Sequence, residues 1–439
     1  MAIDRRGFIG LGAVAALGGF GRAFAAGTED PSVGKPWKGW KKGQFQIHFI
    51  YTGVAESLFW ILPDGTTMLL DCGDHAALTR GDLAVPVKPG PERLAGEWIA
   101  RYVRRVNPSD AAVDYMMLSH YHADHGGTPN WQSRAPTGAQ RKWDYYRSGF
   151  GLAAEQLTFA KAIDRAWPTF DDPIPKIDGQ DRDLEHIRKV YAMLEKRDGL
   201  KVEKFRLGAT DQVVPQKDPA ACVGFKVRNI CANGRIAAKD GKIRDLYADL
   251  IARHHPKNLN ENGMSTGMIV EYGDFRFFTA GDFSDKIRNA DKSVTLIEDE
   301  LASVVEKVNV AKVNHHGHFS MPEKLVRALA AQVWVGCTWD TLHMVDPVCA
   351  RLADHSLYPG DRVICPGVFP KSRREEDAGK AWTNDVAKAS YDCGHIVLDV
   401  PPGGRDYTMT YLTADDESMT VKSVLKFNSA TREGQISVA

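Results

Sequence analysis

Residues 116 to 128 read MMLSHYHADHGGT. Within them, His120, His122, Asp124 and His125 put three imidazoles and one carboxylate into six positions. Core packing does not concentrate ligand-type side chains in this way; the alternative is a surface loop that happens to be rich in histidine. Imidazole nitrogen and carboxylate oxygen suit zinc, manganese or iron. The preceding run, Ala111 to Leu118, reads as a buried strand, and Gly126 and Gly127 let the chain leave it sharply. A tight turn at a strand end fans its side chains apart. His120 and His122 are therefore expected to face one metal, and Asp124 and His125 a second.

Two metals need more donors than one loop supplies. Asp282 follows Ala280-Gly281 at the end of a buried strand, and an aspartate there can give one oxygen to each metal. A Gly-Asp at a strand end is by itself an ordinary turn; the histidine cluster is what changes its reading. His315 and His316 also end a strand, directly before Gly317. One of them would be a ligand and the other a group touching the ligands or the substrate. A water shared by two cations loses its proton near neutral pH and becomes a nucleophile. Asp124 could orient it, and His315 or His318 could give a proton or hydrogen bond to the oxygen of the reacting group. The catalytic candidates are therefore Asp124 and His315. His48, His75, His186, His343, His355 and His395 stand alone and are read as structural or surface residues.

The elements that must position these residues follow from hydrophobic periodicity. Phe45–Tyr51, Ser57–Leu62 and Thr67–Leu70 read as strands, with a Pro63-Asp64-Gly65 hairpin turn between the last two. Residues 92 to 106 carry Leu94, Trp98, Ile99, Tyr102 and Val106 on one helical face. Residues 129 to 200 read as an insertion beside the metal loop, either a candidate lid or substrate wall or a packed structural subdomain, with a helix at 181 to 197. Strands are then expected at Val202–Leu207, Cys222–Cys231, Met268–Tyr272 and Arg276–Thr279. A helix is expected after Asp282, and a strand at Val308–Val313. Helix 322 to 331, strand Val333–Gly336 and three C-terminal strands complete the pattern.

The first 25 residues read as a signal peptide. Paired Arg5 and Arg6 precede Phe8, a short Gly/Ala-rich apolar run follows, and Ala23-Phe24-Ala25 forms a small-x-small cleavage site. The apolar run is too short for a membrane span. The pair of arginines resembles a twin-arginine export signal, which implies the twin-arginine machinery as a partner and a periplasmic or secreted product beginning near Ala26. Lysine plus arginine equals aspartate plus glutamate at 56 each, so no strongly basic surface for nucleic acid is indicated. Seven cysteines without a CxxC pair argue against a disulfide framework.

The chain resembles the metallo-β-lactamase superfamily. The matching pieces, in that family's order, are the Pro-Asp-Gly hairpin, LLDCGD at 69 to 74, HYHADH at 120 to 125, TAGD at 279 to 282 and NHHG at 314 to 317. The C-terminal half, with its Asn-rich stretch from Asn258 to Ser265, is most similar to ComEC-type domains. The resemblance implies an α/β fold, a four-layer αββα sandwich, from 26 to 439. It also implies two divalent metal ions, zinc foremost, with manganese or iron as alternatives. In it, His120 and His122 would hold the first metal, and Asp124, His125 and His316 the second, with His315 as the alternative to His316. Asp282 would bridge the two. Many members place a further histidine on the first metal, but none stands in the corresponding place here; Asn262, Glu261, His254 or His255 could substitute. The activity implied is hydrolysis of a phosphodiester, lactone, ester or amide in a small-molecule or phosphodiester substrate. The alternatives are a non-catalytic metal-binding protein of the same fold and a di-iron redox protein, although relatives of the latter kind carry a glutamate where His122 stands.

Overall fold

The computed structural model describes residues 30–75, 87–128, 141–142, 145–175, 177, 181–253, 259–432 and 434–437. The segments read as a signal peptide and as an Ala26 start, together with His254, His255 and Asn258, lie outside the described residues. The fold is mixed α/β, built on two large mixed sheets. The first has ten strands in the order Gly434–Ser437, Val421–Asn428, Asp406–Leu412, His395–Val400, Phe45–Phe49, Leu58–Ile61, Thr67–Leu70, Ala112–Met117, Thr158–Asp164 and Lys201–Lys204. The second has eight: Ile243–Asp245, Arg235–Ala237, Phe225–Ala232, Gly267–Tyr272, Phe275–Thr279, Val310–Lys312, Val333–Gly336 and Val363–Pro366. Each sheet is antiparallel at one end and parallel at the other. The parallel parts are the last four strands of each order.

Strand alternation explains the layering. In the first sheet Ile47, Trp60, Met68, Leu70 and Tyr115 point one way, and meet Val270, Phe275, Phe277, Val333 and Val363 from the second. Their neighbours Phe59, Ile61, Leu69 and Met116 point the other way. They pack under the helices Ala95–Val106 and Asp181–Asp198, through Ile99, Val103, Ile187, Val190 and Leu194. Phe278, Ala311, Trp334 and Ile364 do the same on the second sheet, against Leu325, Val326 and Leu329 of Glu323–Leu329 and Val348 and Leu352 of Asp346–Ala353. The order is thus helices, sheet, sheet, helices. Each fully buried Leu or Phe contributes about 1.5–3 kcal/mol, which is why a period of two in these runs specifies the register.

Two expectations change. Part of the stretch read as an insertion belongs to the first sheet: Thr158–Asp164 pairs in parallel with Ala112–Met117, and Asp181–Asp198 covers that sheet. No helix directly follows Asp282. Lys286–Arg288 pairs with Val294–Leu296 as a hairpin, and only then comes the short helix Ile297–Leu301. Asn289 accepts from the Lys292 amide and donates to the Ser293 carbonyl, and Asp291 Oδ1 accepts from the Ser293 amide, so local turn chemistry overrides helix propensity there.

Among the described residues, no helix is long and apolar enough to cross a membrane. All seven cysteines are free, and six of them are buried.

Candidate metal centre

The parallel strands deliver the chemistry at their C-terminal ends, where open α/β sheets place their ligands. Thr67–Leu70 runs into Asp71, Ala112–Met117 into the histidine loop, Phe275–Thr279 into Asp282, and Val310–Lys312 into Asn314, His315 and His316. Facing one another, the two sheets bring these four ends together. Close approach depends on small residues. A Cβ on Gly73 would lie 1.7 Å from the Asp124 carbonyl oxygen, and one on Gly281 (φ +53) would lie 2.9 Å from the Ser119 Cβ.

Glu56, His125, Asp282 and His316 form a buried group that could hold a metal ion. Asp124 joins it. His316 Nε2 lies 3.0 Å from Asp124 Oδ2 and 3.2 Å from Asp282 Oδ2. His125 Nε2 lies 3.6 Å and 3.2 Å from the same two oxygens. Tetrahedral ligands at zinc-type bond lengths are separated by about 3.3–3.4 Å, so these four atoms already have the spacing of a coordination shell. The far nitrogens of both rings are anchored: Asp71 Oδ2 is 2.8 Å from His125 Nδ1, and the Cys337 carbonyl 2.8 Å from His316 Nδ1. Such partners fix the ring orientation and leave Nε2 for the ion. Glu56 Oε2 stands behind, 3.3 Å from His316 Nδ1 and 2.8 Å from Lys312 Nζ.

Charge is the strongest physical argument. Asp71, Asp124, Asp282 and Glu56 are buried together, and Lys312 is the buried ammonium that faces them. Buried excess negative charge has to be met by protons or cations. Burial pushes both His125 and His316 down, but the carboxylates outweigh it and raise both, His316 to about 9. The same pairs hold Asp124 and Asp282 well below the usual carboxylate range, although burial alone would raise them.

His120 and His122 meet at a second point. His120 Nε2 lies 3.0 Å from His122 Nδ1, while Ser119 Oγ lies 3.1 Å from His120 Nδ1. Their positions are adjacent to the first set: the His120 and His125 ring centroids are 4.2 Å apart. His315 lines the cavity shared with Asp124, Asp282 and His316, and its ring nitrogens are held by other partners. Its Nδ1 lies 3.0 Å from Ser284 Oγ and its Nε2 3.1 Å from Asn262 Nδ2, and burial pulls it down to about 4. Glu261 is committed elsewhere. Its carboxylate takes Arg165 at 3.0 and 2.8 Å and the Tyr121 amide at 2.9 Å, all buried.

A cavity of about 270 Å³ opens onto the ligands, lined by His122, Asp124, Asp282 and His316 and also by His318 and His343. His343 stacks on His316 with centroids 4.7 Å apart and accepts from the Trp339 amide at 3.3 Å. His75 stacks on Trp339 and lines the same space. Sequence reading had set both histidines aside. A lone histidine in a loop carries no spacing signal, and only the tertiary structure brings them here. Glu56 and Lys312 were also missed. Lys312 did leave a trace, as a charge inside the apolar run from Val308 to Val313. His48, His186 and His395 are structural: His48 Nδ1 lies 3.0 Å from Tyr102 Oη, His186 Nε2 3.1 Å from the Ser148 carbonyl, and His395 Nδ1 accepts from the Tyr51 amide.

His315 and His316 both adopt left-handed backbone (φ +47 and +50), a strain of about 1–3 kcal/mol each that persists only where neighbours impose it. Asn314 imposes it here, donating to the Phe283 carbonyl at 3.2 Å and to Glu298 Oε1 at 3.0 Å. Burial pushes Glu298 from 4.5 up to about 8, against the hydrogen bonds from Met321 and Asn314. A carboxyl raised on folding stabilises the native state fully below its unfolded pKa, and loses that contribution as pH rises through the folded value. Glu298→Gln keeps an acceptor and cannot ionise. Thermal unfolding of both proteins at pH 5 and pH 9 is expected to show the variant gaining on wild type with rising pH, by about 4 kcal/mol between the two. A difference that does not change with pH would show that Glu298 stays ionised or exposed.

No protein-family model matches the chain, and no curated protein matches it significantly.

Proposed function

We propose that the chain is a metal-dependent hydrolase of the metallo-β-lactamase fold. The observation that carries this reading is the set of four donor atoms 3.0–3.6 Å apart at the strand ends, open to a cavity. A cation bound there would acidify a water and polarise the substrate's carbonyl or phosphoryl oxygen. His125, His316, Asp124 and Asp282 would hold it, with His120 and His122 offering a second position. The remaining steps fall to the protein. Asp124 and Asp282 accept hydrogen bonds from the attacking water and orient it. His318 and His343 line the same cavity and would donate to a developing oxyanion or leaving oxygen. A second cavity of about 620 Å³ lies beyond His315, lined by Ser284, Phe319 and Arg351 among others, and gives the rest of a substrate room. Trp339 and the stacked His75 wall off the near side.

Substrate classes consistent with this are phosphodiesters, lactones, esters and amides. The exported location and the zinc-type metal proposed from the sequence belong to the same reading. Metal analysis of the protein purified from its export compartment should find bound transition metal. Chelation should remove activity on bis-p-nitrophenyl phosphate, a lactone or nitrocefin, and metal return should restore it. Protein that is metal-free as isolated, does not take up zinc, manganese or iron, and hydrolyses none of the three would overturn the proposal.

A further inference from the structure

His120 Nε2 and His122 Nδ1 converge at 3.0 Å, and two nitrogens alone make a poor cation site. The turn Glu261–Met264 contacts the backbone of the same loop. The Tyr121 amide donates to Glu261 Oε1 at 2.9 Å, and the Thr266 amide donates to the Ser119 carbonyl at 3.0 Å, so this turn runs alongside the histidine loop. Glu261 is held by Arg165 and by the Tyr121 amide, which engage both of its carboxylate oxygens. Asn262 lies next to it and is only 6% exposed. Its backbone amide is tied back to Asn260 Oδ1 at 3.1 Å, and its Nδ2 meets His315 Nε2 at 3.1 Å. That contact orients the amide and leaves Oδ1 buried without a hydrogen-bond partner. Buried carbonyl oxygens are rarely left so, and an orphan asks for a donor or a cation. Asn262 and His122 line the same cavity as Asp124, Asp282 and His316.

We propose that Asn262 Oδ1 is the third protein ligand of a second cation, completing a site with His120 Nε2 and His122 Nδ1. This rests on the metal-centre reading above and goes beyond it in making the two positions unequal. The first is built from two imidazoles and two carboxylates. The second has two imidazoles and a neutral amide oxygen, a weaker and harder donor set that favours manganese-type ions relative to zinc more than a third imidazole would. The first ion is therefore retained, and the second exchanges. His315 serves as a positioning residue, holding the amide nitrogen at 3.1 Å so that the oxygen is the group left for the ion.

The test is metal stoichiometry on the full chain, with Zn²⁺ and Mn²⁺ as probes, measured by calorimetric titration and by elemental analysis after dialysis. Wild type is expected to keep one equivalent through dialysis and to take a second only with excess ion. Asn262→Ala should lose the second equivalent and keep the first. Asn262→His should retain both, with second-site Zn²⁺ affinity raised at least about 10-fold. His125→Ala should instead lose the retained equivalent, which separates failure of this proposal from failure of the metal centre itself. Wild type that never takes a second ion would overturn the proposal, as would Asn262→Ala taking two ions as wild type does. If Asn262→Ala fails to fold, Asn262→His decides: second-site affinity unchanged from wild type overturns the assignment.

Discussion

Asp282→Asn is expected to strip the retained cation and lower hydrolysis by at least about 100-fold, because even substitutions one shell away from a metal cost about 10–100-fold. Asp282 Oδ2 faces both imidazole Nε2 atoms at 3.2 Å, so its loss weakens the set on both sides. Asparagine preserves the volume, but it removes the charge that balances a dication and can turn an N–H toward it. The fold should survive. The Asp282 amide still donates to Ser265 Oγ, and Glu56 remains as the carboxylate partner of Lys312. Elemental analysis and turnover of the three probe substrates read the two effects separately. Stoichiometric metal together with undiminished turnover in Asp282→Asn would remove the basis for the proposed function.

Lys312→Met is expected to destabilise the metal-free protein by about 3–5 kcal/mol, the usual cost of leaving one member of a buried ion pair without its partner. Lys312 is fully buried, donates to the Gly281 carbonyl at 2.7 Å and sits 2.8 Å from Glu56 Oε2 and 3.5 Å from Asp282 Oδ1. Burial alone would lower its pKa, yet Glu56 and Asp282 outweigh that and keep it charged. The methionine variant leaves Glu56 and Asp282 without the ammonium they share. Adding Glu56→Gln to it should recover most of the loss, because the two charges are then removed together. Added Zn²⁺ should stabilise the single variant more than wild type, since a cation would answer the exposed negative charge. Denaturant unfolding of the metal-free proteins measures this. An unchanged midpoint for Lys312→Met would mean that the ammonium contributes nothing to holding the strand ends together.

Much of the centre could be read in the sequence for a physical reason. His120, His122, Asp124 and His125 lie within one turn, and a loop that short has few ways to place them. Asp282 and His316 end apolar strands next to glycines that permit tight turns, and that local pattern was readable too. The strands themselves followed from short apolar runs bounded by turn residues, as in Thr67–Leu70 and Val333–Gly336, which the structure reproduces residue for residue. The hairpin after Asp282 was not read, because asparagine and aspartate turn bonds there outweigh a weak helical pattern.

The local chain by itself determined which residues carry chemistry and which strands end in them, since ligand spacing and hydrophobic period are short-range properties. Only the tertiary structure decided which of those residues meet. It placed Asp124 with His316, 192 positions apart, at 3.0 Å, and committed Glu261 to Arg165. It also brought Glu56, Lys312 and His343 to the site, tied His315 to Ser284, and left Asn262 Oδ1 without a partner. These outcomes depend on how two sheets face each other and on which buried charges must balance, and neither is a property of any one stretch of sequence.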